Sequence, residues 1–295
     1  MTSAPRYRGS IALSALRHLR SRVPHRIASA LSNCGGTNWA SGRFAGNLAD
    51  GTISEEEFTA ICHALIFPNG VRKTTKRGRN TAVFRDLIDT GALPLPPTSR
   101  VLDIGASGGL DALATFELLS QRSAVSKYTL GDLYTCVLYD RERGLVFDED
   151  NNLLQVRRGS SFVSTNFSYN YGFQRLTNLP KRIRPWLLGR HYAFKPGPNV
   201  MRLPLAHRQL AIDSPASPFK LRRMNVFEPI ADVFDVIICM HLLVPRYFSA
   251  QAIESGIRNL SAALAVGGSL IVGATEDFRV VRRVGTSELE DRRFP

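Results

Sequence analysis

No C-x-x-C pair occurs in this chain. Its four cysteines, Cys34, Cys62, Cys136 and Cys239, are scattered, which excludes a paired zinc site and a disulfide framework. They read as reduced thiols, the state expected of a cytoplasmic protein. No apolar run reaches the roughly 20 residues that a membrane span needs. Met1 to Leu31 contains no acid and no continuous apolar signal region, which argues against secretion. Its Arg- and Ser-rich character mimics an organelle transit peptide but reads more simply as a basic amphipathic helix over Ile11–Leu31, broken near Pro24. Acids are also scarce between Arg157 and Arg223, where thirteen Lys or Arg face a single Asp213.

What is present belongs to a globular protein: 295 residues, 44% hydrophobic and 21% charged, with a net charge of +13. Such a length buries one large core with additions, or two modest ones. The charge is uneven. Seven arginines precede Asp50, and five cations with no acid occupy Arg72–Arg79. A surface of this kind favours anionic partners, whether nucleic acid, phospholipid head groups or acidic proteins. A merely solubilising excess is the competing reading.

Two common nucleotide signatures are missing. A dinucleotide fingerprint requires G-x-G-x-x-G, and a phosphate loop requires G-x-x-x-x-G-K-[ST]. The richest glycine run satisfies neither: Val101-Leu102-Asp103-Ile104-Gly105-Ala106-Ser107-Gly108-Gly109-Leu110-Asp111. It does read as a buried strand, a tight turn and a helix. Val101, Leu102 and Ile104 are the apolar run of a two-sided parallel strand. Leu110, Leu113, Ala114 and Leu118 then share one helical face. Such a turn lets a ligand approach the main chain at a helix N-terminus. Asp103 either caps the turn or holds a cationic part of a nucleotide-like cofactor.

The run Asp103-Ile104-Gly105-Ala106-Ser107-Gly108-Gly109 resembles the first motif of class I S-adenosylmethionine-dependent methyltransferases, acidic-h-G-x-G-x-G, with Ser107 in place of the middle glycine. Three further segments follow in the family's order. Lys127–Asp132 reads as a second strand with an acid at its carboxyl end, placed to accept hydrogen bonds from ribose hydroxyls. Phe219–Val226 reads as a third strand. Phe234-Asp235-Val236-Ile237-Ile238-Cys239-Met240-His241 reads as a fourth, similar to the family's F-D-x-h-x-x pattern. A helical stripe through Ile253, Ile257, Leu260 and Leu264, then Gly267-Gly268, leads into a fifth strand ending near Gly273.

The resemblance implies an α/β fold with a doubly wound, mostly parallel Rossmann-like sheet. It also implies S-adenosyl-L-methionine as cofactor and methyl transfer as the reaction. Asp103, Gly105, Ser107 and Gly109 would hold the amino acid part, Asp132 the ribose, and Asn225 and Val226 the adenine. Met240 lies at the ligand edge, and His241 beside it is the candidate general base; a structural histidine is the other reading. No metal ligands are implied, and no motif names the acceptor. The family ends in a helix and a two-strand hairpin, so the few residues after Val272 predict last strands that are short or absent.

The remainder is read as additions. Residues 1–97 form a basic, mainly helical extension before the cofactor domain at 98–295. Ser54 and Glu57 make a capping box for a helix running through Phe58, Ile61, Leu65 and Ile66. The same stretch fails as a calcium loop, since Gly46 and Leu48 would stand at the first and third ligand positions. A second helix spans about Thr81–Asp89. A large insertion between strands two and three, at about 133–219, begins with short antiparallel strand candidates. It continues through alternating Phe167, Tyr169, Tyr171 and Phe173 into a mixed basic and apolar segment, Leu179–Arg190. Lys181, Arg182, Arg184 and Arg190, with Trp186 beside them, are candidates to select an anionic methyl acceptor. The alternative from another class is a non-catalytic Rossmann-like protein that binds nucleic acid or an anionic membrane surface.

Overall fold

The computed structural model describes residues 44–51, 53–69, 71–74, 76–158, 161–164 and 192–294. The helix expected over Ile11–Leu31, the aromatic alternation at 167–173 and the segment with Lys181, Arg182, Arg184, Trp186 and Arg190 lie outside these residues. Two compact units divide the chain. One takes in Thr75–Thr135 and Ala206–Pro295; the other joins the described residues up to Thr74 to Cys136–Leu205. Of the described residues before Thr98, those up to Thr74 fall in one unit and those from Lys76 in the other.

In the first unit the apolar run becomes β1 (Thr98–Ile104), with Val101 and Leu102 fully buried. The glycine turn delivers the chain into α3 (Leu110–Ser120), which returns it to β2 (Ala124–Asp132), parallel to β1. After the insertion, β8 (Phe219–Arg223) pairs parallel with the outer side of β2. The chain then crosses to the other side of β1 as β9 (Phe234–Met240). Helix α4 (Ala250–Ala262) leads into β10 (Leu264–Ala274), again parallel. Ser249 starts α4 by accepting a hydrogen bond from Ala252 N through its hydroxyl at 3.3 Å.

Strands β11 (Asp277–Arg283) and β12 (Leu289–Phe294) complete the order β12-β11-β10-β9-β1-β2-β8. The fold is therefore the Rossmann-like, mostly parallel α/β sheet expected. One expectation is corrected: the last strands are neither short nor absent. They run seven and six residues as a direct antiparallel meander without an intervening helix. The Gly267-Gly268 pair also differs from its reading as a turn before the strand. It lies inside β10, where the pairing with β9 shifts register between Leu264 and Ser269. Gly267 has φ +83°, a conformation that suits a glycine bulge.

Burial on both faces holds the sheet. Leu102, Ile237, Leu270 and Leu260 pack in one cluster with Leu243 and Val226. Arg100 fixes the entry of β9 by donating from N, Nε and Nη2 to the Asp235 carboxylate at 2.8–3.1 Å. Before β1, α2 (Thr81–Asp89) forms where the sequence places a second helix and buries Phe84 and Leu87.

In the second unit, α1 (Glu55–Ala64) begins with the expected cap, Glu57 N donating to Ser54 Oγ at 3.1 Å. It ends before Leu65 and Ile66, which the sequence assigned to it; Ile66 instead bridges to Arg72. The insertion forms an antiparallel sheet of β3 (Cys136–Asp140), β4 (Leu145–Phe147), β5 (Leu153–Arg158), β6 (Ser161–Ser164) and β7 (Val200–Pro204), ordered β6-β5-β4-β3-β7. Asp148 makes the β4–β5 turn by accepting from the backbone N–H groups of Asp150 and Asn152. The Arg157 guanidinium sits 5.6 Å over the Phe44 ring.

Candidate active site

Ligands in open parallel sheets bind where the strand order reverses, at the carboxyl ends. Here β2 lies on one side of β1 and β9 on the other, so the reversal falls at the ends of β1 and β9. Three loops meet there: the glycine turn after β1, the end of β2, and the residues after β9.

Backbone conformation explains the glycines. Gly105 has φ +81° and Gly109, the N-cap of α3, has φ +74°. A Cβ on Gly109 would fall 2.5 Å from Leu210 Cδ1. Ser107 occupies the same left-handed region at φ +57°. Its N–H donates to Asp132 Oδ2 at 3.0 Å, and Tyr134 N donates to Asp132 Oδ1 at 3.1 Å. Because the contact uses the backbone of Ser107, the departure from glycine does not disturb it. Gly105 N and Ala106 N donate to Gly131 O, and His207 N donates to Gly108 O. The turn is thus anchored to the end of β2 and to the chain before β8.

Asp103 is more deeply placed than the sequence implies. It is 9% exposed, and the Tyr128 hydroxyl donates to its Oδ2 at 3.3 Å. Burial pushes its carboxyl up to about 8; the charges of Asp111 and Asp132 add to this, while the Tyr128 hydrogen bond opposes it. Near neutral pH this is mostly a neutral acid beneath the turn rather than an exposed anion.

Asn225 accepts from Phe227 N through Oδ1 and donates from Nδ2 to Glu228 Oε1, both at 3.1 Å. Its amide therefore shapes the turn after β8. Val226 is 5% exposed and belongs to the core, its carbonyl accepting from Asn259. Met240 is buried as the last residue of β9.

His241 follows with φ +61° and donates its N–H to Gly273 O at 2.6 Å. Its Nε2 lies 3.1 Å from Asn80 Oδ1 and 3.2 Å from Thr275 Oγ1. Asn80, in turn, contacts Asp111 through both its backbone N, at 3.2 Å, and its Nδ2, at 2.6 Å. Burial lowers the His241 pKa below the ordinary 6.5, as does the Arg79 charge, while Asp111 and Glu276 oppose this. The imidazole is accordingly neutral at neutral pH and able to accept a proton.

The structure thus brings Gly105, Ser107, Gly109 and Asp132 together around the turn, and His241 beside them at the switch edge. Asn80, Asp111, Thr275 and Tyr128 escaped the sequence reading. Asn and Asp near helix starts read as caps, and nothing in their spacing ties residue 80 to 111 or 241. Among the described residues, no cluster of three or more His, Cys, Asp or Glu could hold a metal ion. Cys239 and Cys136 are buried, and burial first of all pushes both thiols up to about 12, far from reactive thiolates.

No family model matches the chain, and no curated protein does. The solved structures it resembles include methyltransferases. One is the N-methyltransferase NodS of Bradyrhizobium japonicum WM9 in complex with S-adenosylhomocysteine, at 14% identity and TM-score 0.31, covering 78% of this chain and 72% of that one. A second is an S-adenosylmethionine-dependent methyltransferase of Clostridium acetobutylicum ATCC 824, at 10% identity and TM-score 0.29, covering 73% and 72%. A third is CalO1, a methyltransferase in calicheamicin biosynthesis, at 12% identity and TM-score 0.29, covering 65% of this chain and 35% of that one. The chain also spans 37% of the length of a solved structure from Nostoc punctiforme PCC 73102.

Proposed function

We propose that this chain binds S-adenosyl-L-methionine at the switch edge of the seven-stranded sheet and transfers its methyl group to an acceptor nucleophile. The observation that carries the reading is Asp132, held by the Ser107 and Tyr134 N–H groups so that its carboxylate stands at the glycine turn. An acid so placed suits a ribose diol, which donates two hydrogen bonds. When bound, the sulfonium supplies an electrophilic methyl group.

The chain's own residues supply position and proton transfer. Gly105, Ser107 and Gly109 shape the turn for close approach, and Met240 borders it from β9. Asp103 accommodates an ammonium group by giving up its proton, since a neighbouring cation favours the charged carboxylate. In this reading, the backbone after β8 at Asn225 and Val226 lies along the adenine, their side chains being engaged in the turn and the core. His241 takes the proton that the acceptor loses.

The acceptor is proposed to be anionic. What supports this is the excess of thirteen cations over one acid between Arg157 and Arg223. No observation on the described residues favours the alternative of a non-catalytic binder. No described helix is long and apolar enough to cross a membrane.

Calorimetry with S-adenosylhomocysteine and with NAD tests the cofactor. The first is expected to bind and to raise the melting temperature, and the second to do neither. Asp132→Ala is expected to weaken binding about tenfold or more, the ~1.5–3 kcal/mol of hydrogen bonds to a charged group. Equal heat from both ligands, or none from the first, would reject the reading. For the acceptor, Lys181, Arg182 and Arg184 changed together to Glu should weaken its binding and flatten its salt dependence.

A further inference from the structure

We propose that Asn80 and Asp111 are positioning residues that fix the tautomer of His241, placing its proton on Nε2 and leaving Nδ1 as the basic nitrogen. The tautomer stands on geometry alone; its consequence for catalysis rests on the methyltransferase reading.

The assignment begins at Asp111, in the first turn of α3. Its Oδ1 meets Asn80 N at 3.2 Å and its Oδ2 meets Asn80 Nδ2 at 2.6 Å. Both partners are N–H donors, so both oxygens accept. This settles the orientation of the Asn80 amide. Turned the other way, its carbonyl oxygen would face an oxygen of the ionised Asp111 carboxylate at that distance, with no proton between them; burial raises the Asp111 pKa, while the hydrogen bonds from Asn80 and the Arg79 charge favour the ionised form. Asn80 Oδ1 therefore points away from Asp111, toward His241 Nε2 at 3.1 Å.

A carbonyl oxygen only accepts, so the hydrogen in this contact belongs to Nε2. The Thr275 hydroxyl fits the same pattern. It donates to Asn80 Oδ1 at 3.3 Å, and its oxygen lies 3.2 Å from Nε2, where it can accept. In a neutral imidazole with the proton on Nε2, the lone pair is on Nδ1. Among the described residues no hydrogen bond engages Nδ1. The charged groups acting on the ring are Arg79, Asp111 and Glu276.

Two independent features show that the network has been favoured over local stability. Asn80 is the N-cap of α2, and asparagine is among the best capping residues. Yet its side chain makes no cap hydrogen bond; it is 3% exposed and committed to Asp111 and His241. His241 itself stands at φ +61°, a left-handed conformation that disfavours a non-glycine residue.

Nitrogen-15 spectra of the imidazole in the full chain decide the matter, with the His241 signals assigned by their loss in His241→Gln. Above the titration of the ring, Nε2 is expected to show the shift of a protonated, pyrrole-type nitrogen and Nδ1 that of a pyridine-type nitrogen. Asp111→Asn introduces a donor where only acceptors stood. The Asn80 amide then turns round, presents its NH2 to Nε2, and most of the proton population moves to Nδ1. In that variant the affinity for S-adenosylhomocysteine should change less than threefold. A wild-type ring protonated on Nδ1 overturns the inference without any variant, as does an unchanged tautomer in folded Asp111→Asn. These spectra need no cofactor, so a failed S-adenosylhomocysteine titration rejects the methyltransferase reading and leaves the tautomer standing.

Discussion

The Tyr128 hydroxyl donates to Asp103 Oδ2 at 3.3 Å between neighbouring parallel strands, with both residues buried. A phenol is a modest partner for a carboxylate with so little solvent. Burial dominates, and the acid keeps its proton up to a pKa of about 8.

The pH dependence of stability follows with a definite sign. The folded-state pKa of Asp103 lies above the ordinary carboxylate value of 3.8. The folded chain therefore binds this proton more tightly than the unfolded chain. The associated stability is complete below about pH 4 and is lost as pH rises toward about 8. Asp103→Asn cannot lose a proton. Its melting temperature should gain on the wild type by several degrees between about pH 5 and about pH 9, since ~1 kcal/mol moves a domain of this size by about 2–4 °C. Parallel curves for the two proteins would mean that Asp103 ionises normally.

Ser107 and Gly109 share a backbone conformation yet should respond in opposite ways to substitution. Ser107→Gly removes the left-handed cost and retains the N–H that Asp132 accepts. It should leave both the melting temperature and S-adenosylhomocysteine binding within error or slightly improved. Gly109→Ala adds a Cβ at φ +74° and 2.5 Å from Leu210 Cδ1. It should cost about 2 kcal/mol or more by denaturant titration, from strain and overpacking together. The double change with Leu210→Ala should show coupling between the two sites, because the clash then disappears while the strain persists. Strict additivity would place Leu210 elsewhere.

A third prediction concerns rate against pH. Burial and the Arg79 charge hold the His241 pKa below 6.5. If His241 is the base, the acid limb of kcat should fall below the usual histidine range, with the plateau extending to lower pH. Arg79→Gln removes one of the two lowering influences and should shift that limb upward. A limb that ignores Arg79 would assign the proton to another group.

Much of this architecture was legible because it rests on short-range pattern. The run from Val101 to Leu118 changes period from strand to helix across its glycines, and each glycine conformation there has a local cause. Asp132 was legible for the same reason, standing at the end of an apolar strand. The place of Asp103 was legible as well, but not its protonation, which depends on Tyr128 and on burial that sequence spacing does not reveal. Asn80 and Asp111 were invisible as a pair: their contact is made by the docking of α2 against α3, and each alone resembles an ordinary helix-start residue. The Gly267-Gly268 pair was misread because a glycine bulge inside a long strand and a turn before a short one have the same composition.

The meander of β10, β11 and β12 has a kinetic consequence. From Phe234 to Phe294 the pairs β9–β10, β10–β11 and β11–β12 each join strands nearby in sequence, and only the pairing of β9 with β1 spans a long stretch of chain. On the other side, β8 reaches β2 only after the chain from Asp132 to Phe219 has been looped out. Closing that larger loop carries the greater entropic cost, and contacts of long sequence separation form slowly. The β9-to-β12 pairings therefore carry the smaller loop-closure cost. The glycine turn, one of whose anchors comes from His207 just before β8, depends on the closure of that larger loop.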